Sequence, residues 1–174
     1  CRANLTLSGP EESHKVILVT SGSAGDGKTS VAANMAAAFV AEDSKVLFID
    51  ANFRQPESEK LFPKSDAVGL GAGDMDPSFG LSSLLMGQCG QREAIRPTGI
   101  EGLDVIDAGL LPSNPAELLG NSRMADLIKE QRSNYDYIVV DSPPVLLVSD
   151  AKVLARYVDT AVLVFNAAAT RRGA

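Results

Sequence analysis

The sequence predicts an α/β fold: a mostly parallel sheet with helices on both faces, in three α/β/α layers. Three observations predict it. Apolar runs of strand length alternate with helically spaced segments, which is the pattern of βαβ units. Val16–Thr20, Lys45–Ile49 and Tyr137–Val140 read as continuous strands rather than alternating ones, as expected where helices cover both faces. The first run enters a glycine-rich turn, and the other two stop at Asp50 and Asp141. Right-handed crossovers bring strand C-termini to one edge, where ligands bind in open α/β sheets.

Residues 1–15 are polar, carry Gly9-Pro10 and read as a lead-in ending in a turn. His14, the only histidine, is expected to be a solvated loop residue and neither a ligand nor a base. Residues 16–174 form the domain. After the glycine-rich turn, Val31, Met35 and Phe39 share one helical face, with Ala32, Ala36 and Val40 beside it. Glu42-Asp43-Ser44 ends that helix. Residues 63–80 are irregular, and the run Gly69–Gly73 follows no strand and opens no helix, so it reads as a loop. Asp74 and Asp76 beside it read as solvated carboxylates. Leu81–Met86 is expected to be a short helix stopped at Gly87, and Gln91–Ile95 another. Leu103–Ile106 is a strand. Asn114-Pro115-Ala116-Glu117 marks a helix start, with Asn at the N-cap, Pro at the first position and Glu at the third. Ser122 to Arg132 follows as a helix with Met124, Leu127 and Ile128 on one stripe. Pro143-Pro144 forbids a helix after Asp141. Asp150–Arg156 reads as helix and Thr160–Phe165 as strand.

With 174 residues the chain is one domain, long enough for a real core. A net charge of −6 argues against a nucleic-acid-binding surface. Cys1 and Cys89 lie in no ligand-like spacing and read as free thiols of a reducing cytosol. No apolar run approaches the roughly 18–20 residues of a membrane span, and there is no signal peptide. Cys1 is not a start methionine, so the chain reads as a piece of a longer polypeptide, and the missing span says nothing of the parent.

The chemistry starts in Gly22-Ser23-Ala24-Gly25-Asp26-Gly27-Lys28-Thr29, which fits G-x-x-x-x-G-K-[ST], the phosphate-binding P-loop. Its glycines let the backbone turn tightly and expose consecutive N–H groups. A helix starting near Lys28 adds its positive N-terminal dipole. Ser23 to Ser30 are the candidate nucleotide-binding residues: Ser23, Ala24, Gly25, Asp26, Gly27, Lys28, Thr29 and Ser30. Lys28 supplies a mobile charge for the outer phosphates, and Thr29 a hydroxyl for Mg²⁺. Such a site also needs a carboxylate to hold the metal and a group to position or deprotonate the nucleophile. Asp141 after Ile138-Val139-Val140 fits the first role. Asp50 has the same geometry on the strand after the P-loop helix. Arg54, four residues later, has two readings, a phosphate contact or an ion pair with an acidic neighbour.

These residues carry a family resemblance. SGSAGDGKTS, VLFIDANFRQP, GLSSLLMGQ, IRPTGIEGLDVIDAGLLPSNPAELLGNSRMADLI and YDYIVVDSPPVLLVSDA resemble the cytoplasmic domain of bacterial tyrosine kinases, the BY-kinases of capsule and exopolysaccharide synthesis. The match covers roughly residues 2–170 and includes an extra Walker A′ element at Val46–Pro56. Partition and division-site ATPases, which are related, carry a lysine at the position of Ser23. The resemblance implies ATP and Mg²⁺ as cofactors and γ-phosphate transfer to tyrosine. Lys28 then contacts phosphates, Thr29, Asp141 and Asp50 serve the metal, and Asp50 also acts as base. Arg54 joins Asp50 and Lys28 as a catalytic candidate. The resemblance further implies a ring-forming homo-oligomer, a phosphatase as antagonist, and a membrane activator of the polysaccharide co-polymerase type, fused or separate. That would hold the domain on the cytoplasmic side of the cell membrane.

The chain departs from the family pattern in three ways. The A′ element reads Asp50-Ala51-Asn52 where the family has Asp-x-Asp, which leads to an expectation of intact ATP binding, slowed transfer, and recovery in Asn52→Asp. No tyrosine cluster is present: Tyr135 and Tyr137 flank a core strand and Tyr157 follows a helix. The sequence stops at Ala174, before the last helix and strand that usually complete the adenine pocket. Arg2-Ala3-Asn4-Leu5 looks like the tail of the family's oligomerisation motif. Two rival functions stand beside the kinase: an ATPase switch of the partition type, and a non-enzymatic nucleotide-binding regulatory module.

Overall fold

The computed structural model describes residues 14–63 and 78–166. The lead-in through residue 13, the Gly69–Gly73 run with Asp74 and Asp76, and the chain after Asn166 lie outside the described residues. Six strands form one sheet: β1 (Val16–Ser21), β2 (Val46–Asp50), β3 (Ile95–Pro97), β4 (Leu103–Ile106), β5 (Tyr137–Asp141) and β6 (Thr160–Val164). Their order is β3-β4-β2-β5-β1-β6. Every neighbouring pair is parallel except β3 with β4.

The apolar runs that showed no alternation sort by alternate residues onto two cores. Ile17, Val19, Val46, Phe48 and Val139 face one side, under α1 (Lys28–Val40) through its Ala32, Met35, Ala36 and Phe39. Val16, Leu18, Leu47, Ile49, Ile138 and Val140 face the other. That side is covered by α3 (Leu81–Met86), α4 (Gln91–Ala94), α5 (Pro115–Leu119), α6 (Ser122–Gln131) and α7 (Asp150–Leu154). Both faces are therefore dry, as the uninterrupted apolar runs require. The three-layer expectation holds, with the helices shared unevenly between faces. Two of the stretches that carry the resemblance thus supply the central strands β2 and β5.

Several local readings change. Gln91–Ile95 is a helix only to Ala94, and Ile95 opens β3 instead. That strand is fixed from outside its own sequence: Arg96, buried, grips Asp107 with two nitrogens and donates from Nη2 to the Phe62 carbonyl at 2.7 Å. Helix α2 (Ser58–Leu61) had no sequence signal. Asn114 stands at the N-cap of α5 as expected, but its side chain accepts no backbone N–H; its amide donates to Glu117 Oε2 at 3.2 Å. The last helix ends at Leu154 rather than Arg156, and the last strand at Val164 rather than Phe165. His14 is no free solvated side chain: its Nδ1 is hydrogen-bonded to Thr160 Oγ1 at 2.6 Å, which ties the entry of β1 to the start of β6. It sits at the edge opposite the P-loop, so its exclusion as a base there stands. Cys89 is a free thiol.

Candidate functional site

Every sequence-nominated side chain collects at the C-terminal edge of the sheet. β1 ends at Ser21, and the loop to α1 turns back through Gly25 (φ 84°) and Gly27 (φ 87°), conformations that a Cβ would strain. Ser23, Ala24, Gly25, Gly27 and Ser30 are exposed, and Asp26 and Lys28 half-buried. Asp26 occupies the cradle's own donors in part, accepting from Ser23 N at 2.8 Å. No acidic residue sits in the first turn of α1. The positive end of that 13-residue helix is thus left for an external anion.

Behind the loop, a relay of hydroxyl and charge leads into the sheet. Lys28 Nζ donates to Thr29 Oγ1 at 3.0 Å, and Thr29 Oγ1 donates to Asp141 Oδ2 at 2.7 Å. Thr29 is buried because α1 packs its first turn on β5, and Asp141 is fully buried at the end of that strand. The other oxygen, Asp141 Oδ1, is buried with no partner. Burial pushes the Asp141 carboxyl up to about 7; Lys28 and Thr29 pull it down, while Asp50 and Glu57 push it further up. A buried carboxylate oxygen with nothing on it, beside a second buried carboxylate, is a donor set that suits a hard cation. Among the described residues no three His, Cys, Asp or Glu side chains cluster as a metal site by themselves.

Asp50 lies directly across from Asp141 in the β2–β5 register and is also fully buried. Its two oxygens are engaged by the loop that follows it. Oδ1 accepts from Asn52 N, and Oδ2 from Glu57 N and Ser58 N, all at 3.0 Å. Asp50 is thereby the cap of α2, supplied from eight residues upstream, which is why no local cap pattern announces that helix. Burial raises the Asp50 pKa from its ordinary value, and the Ser58, Asn52 and Glu57 hydrogen bonds pull it part of the way back.

Arg54 resolves onto the second of its two readings: its Nε meets Asp150 Oδ2 at 3.3 Å, with the arginine side chain 48% exposed and the aspartate fully buried. Asp150 Oδ1 is buried without a partner. Asp150 lay in the SDA run of the resemblance with no role assigned, and it is the residue that anchors Arg54. Asn52 also gains a role that sequence reasoning missed, since its side-chain nitrogen donates to Gln55 O at 2.7 Å. The loop after β5 is held down by Ser142 N on Val19 O and Thr20 Oγ1 on Pro143 O.

A family model described as an AAA domain matches residues 14–168. The putative tyrosine-protein kinase CapB of Staphylococcus aureus is 35% identical over 166 residues, covering 95% of this chain and 68% of CapB. The tyrosine-protein kinase etk of Escherichia coli K12 is 37% identical over 163 residues, 94% of this chain and 21% of that protein. Among solved structures, the kinase domain of the Escherichia coli tyrosine kinase ETK superposes with a TM-score of 0.87 at 36% identity. That superposition covers 98% of this chain and 62% of the other. The matched length is therefore about two thirds of the shorter relatives and about a fifth of the longer ones.

Proposed function

The chain belongs to the bacterial tyrosine-protein kinases, and from that premise we propose that this domain binds MgATP and transfers the γ-phosphate to tyrosine hydroxyls. The observation that carries the reading is the pair Asp50–Asp141, two buried carboxylates side by side on β2 and β5, behind a P-loop whose lysine acts on one of them. The P-loop amides and Lys28 hold the phosphates. Thr29 and Asp141, with Asp50 close by, would hold the magnesium ion, which when bound neutralises charge on the transferring phosphoryl group. Asp50 accepts the tyrosine hydroxyl proton as that oxygen bonds to the γ-phosphorus and the bridging P–O bond breaks to release ADP, and Arg54, set by Asp150, is a cation beside this loop. As a proposal resting on the family resemblance, the domain works as a homo-oligomer beneath a membrane polysaccharide co-polymerase activator, opposed by a phosphatase. Among the described residues no helix is long and apolar enough to cross a membrane.

The deciding experiment is single-turnover transfer from ATP to a tyrosine-rich peptide. Transfer at a rate above that of Lys28→Ala supports the kinase, whereas hydrolysis of ATP without transfer would make the domain an ATPase switch. Lys28→Ala is itself expected to weaken MgATP binding at least about tenfold, because a hydrogen bond to a charged group contributes roughly 1.5–3 kcal/mol. A fluorescent ATP analogue measures it, and equal affinities would sink the P-loop assignment.

None of the three tyrosines is expected to be the acceptor. Tyr135 is buried, and its hydroxyl donates to Asp104 Oδ2 at 2.7 Å. Burial and that carboxylate both push the phenol's pKa upward. Tyr137 is partly covered, and its ring stacks on Phe39 with centroids 4.1 Å apart. Tyr157 is partly buried against the core. Mass-spectrometric mapping after incubation with ATP should find no stoichiometric phosphate on any of them.

A further inference from the structure

Asn52 stands where the family pattern has a second carboxylate, and its surroundings give the amide work that a carboxylate would undo. It is 2% exposed. Its Nδ2 donates to Gln55 O at 2.7 Å, while Gln55 N returns a bond to Asn52 O at 3.1 Å, so the turn from 52 to 55 is closed twice. Its own backbone N–H lies on Asp50 Oδ1. The chain leaves that turn through Pro56 and arrives with the Glu57 and Ser58 N–H groups both on Asp50 Oδ2. Flipping the amide would set its oxygen against the Gln55 carbonyl oxygen, so the nitrogen is the atom that belongs there.

We propose that Asn52 is a positioning residue for Asp50: its side-chain amide closes the 52–55 turn and so lays the Glu57 and Ser58 N–H groups on the Asp50 carboxylate. The inference deepens the kinase reading and rests on it for the role of Asp50. It reverses the sequence-based expectation that Asn52→Asp restores speed. An aspartate would turn a donor into an acceptor facing a carbonyl oxygen, leaving both without a hydrogen. It would also add a negative charge two residues from the buried carboxylate of Asp50, itself paired across the sheet with Asp141. The A′ loop of this chain is built for one carboxylate and one amide.

The test has two independent readouts on wild type, Asn52→Ala and Asn52→Asp. Amide hydrogen exchange at Glu57 and Ser58, without nucleotide, reads the cradle directly. Asn52→Ala removes one net hydrogen bond and is expected to speed exchange there roughly two- to tenfold, with Asn52→Asp beyond that and amides of β1 and β5 unchanged. Unchanged exchange at Glu57 and Ser58 in Asn52→Ala overturns the proposal, and this readout stands even if the domain transfers phosphate to no tyrosine. Single-turnover transfer reads the consequence. Both variants are expected to lower the single-turnover rate constant several-fold with the ATP concentration for half-maximal rate unchanged, and Asn52→Ala to cost nothing further in an Asp50→Ala background, because its effect runs through Asp50. A faster Asn52→Asp enzyme, or a full additional loss in the Asp50→Ala background, overturns it.

Discussion

Asp50→Asn is expected to slow phosphoryl transfer to tyrosine by about 10²–10⁴-fold, the usual contribution of a positioned general base. The argument is one of burial and of charge. Asp50 is fully buried, and burial raises its pKa, so the ionised carboxylate has a greater appetite for a proton than a surface aspartate. Three backbone N–H groups fix both of its oxygens, so the acceptor atom is set before substrate arrives. Asparagine keeps the shape and cannot take the proton. Its NH₂ also meets at least one N–H donor head-on, so some loosening of residues 52–58 accompanies the chemical loss. Metal-free ATP affinity separates the two effects. It is expected to hold within about threefold, because the P-loop amides and Lys28 lie on α1 and its entry, not on this loop. A transfer rate within a few-fold of wild type would mean that the tyrosine proton leaves by another route.

The fold was legible wherever a residue's partner lay inside its own segment. The P-loop needs its glycines at fixed offsets, and Gly25 and Gly27 do take positive φ. The runs of β1, β2 and β5 announced themselves because both faces are covered. Parts whose cause is remote were not legible. Ile95-Arg96-Pro97 has no strand pattern and includes a residue without an N–H; it is a strand because β4 pairs with it and Asp107 holds Arg96. Helix α2 is capped from Asp50, His14 is claimed by Thr160, and Arg54 finds its acid 96 residues away. The candidate site divides the same way. Strand-end positions named Asp50 and Asp141, the P-loop motif named Lys28 and Thr29, and the sheet brought them together. What Asn52 does depends on a carbonyl three residues on, and composition alone reads it only as a missing charge.

Asp141→Asn is expected to exchange metal-dependent binding for stability of the empty protein, and pH is the variable that exposes the exchange. With its carboxyl raised to about 7 in the folded state against 3.8 unfolded, the nucleotide-free protein binds the Asp141 proton more tightly folded than unfolded. The sign follows by linkage: this group favours folding below pH 4, and that contribution is lost as pH rises from about 4 to about 7. The melting temperature without metal or nucleotide should therefore fall across that range in wild type, and fall less in Asp141→Asn, whose amide does not titrate. Thr29 Oγ1 can still donate to the amide oxygen, so the fold keeps that bond. Mg²⁺ reverses the order. A cation binds the ionised form, so the Mg²⁺-dependent gain in nucleotide affinity should grow between pH 6 and pH 8 in wild type and stay flat in the variant. At pH 8 the variant should lose at least about tenfold in affinity for MgATP, the equivalent of 1.4 kcal/mol, and far less for metal-free ATP. Calorimetric titration with and without Mg²⁺ at the two pH values measures both. Equal losses with and without the metal would make Asp141 a strand-end residue that holds Thr29 and nothing more.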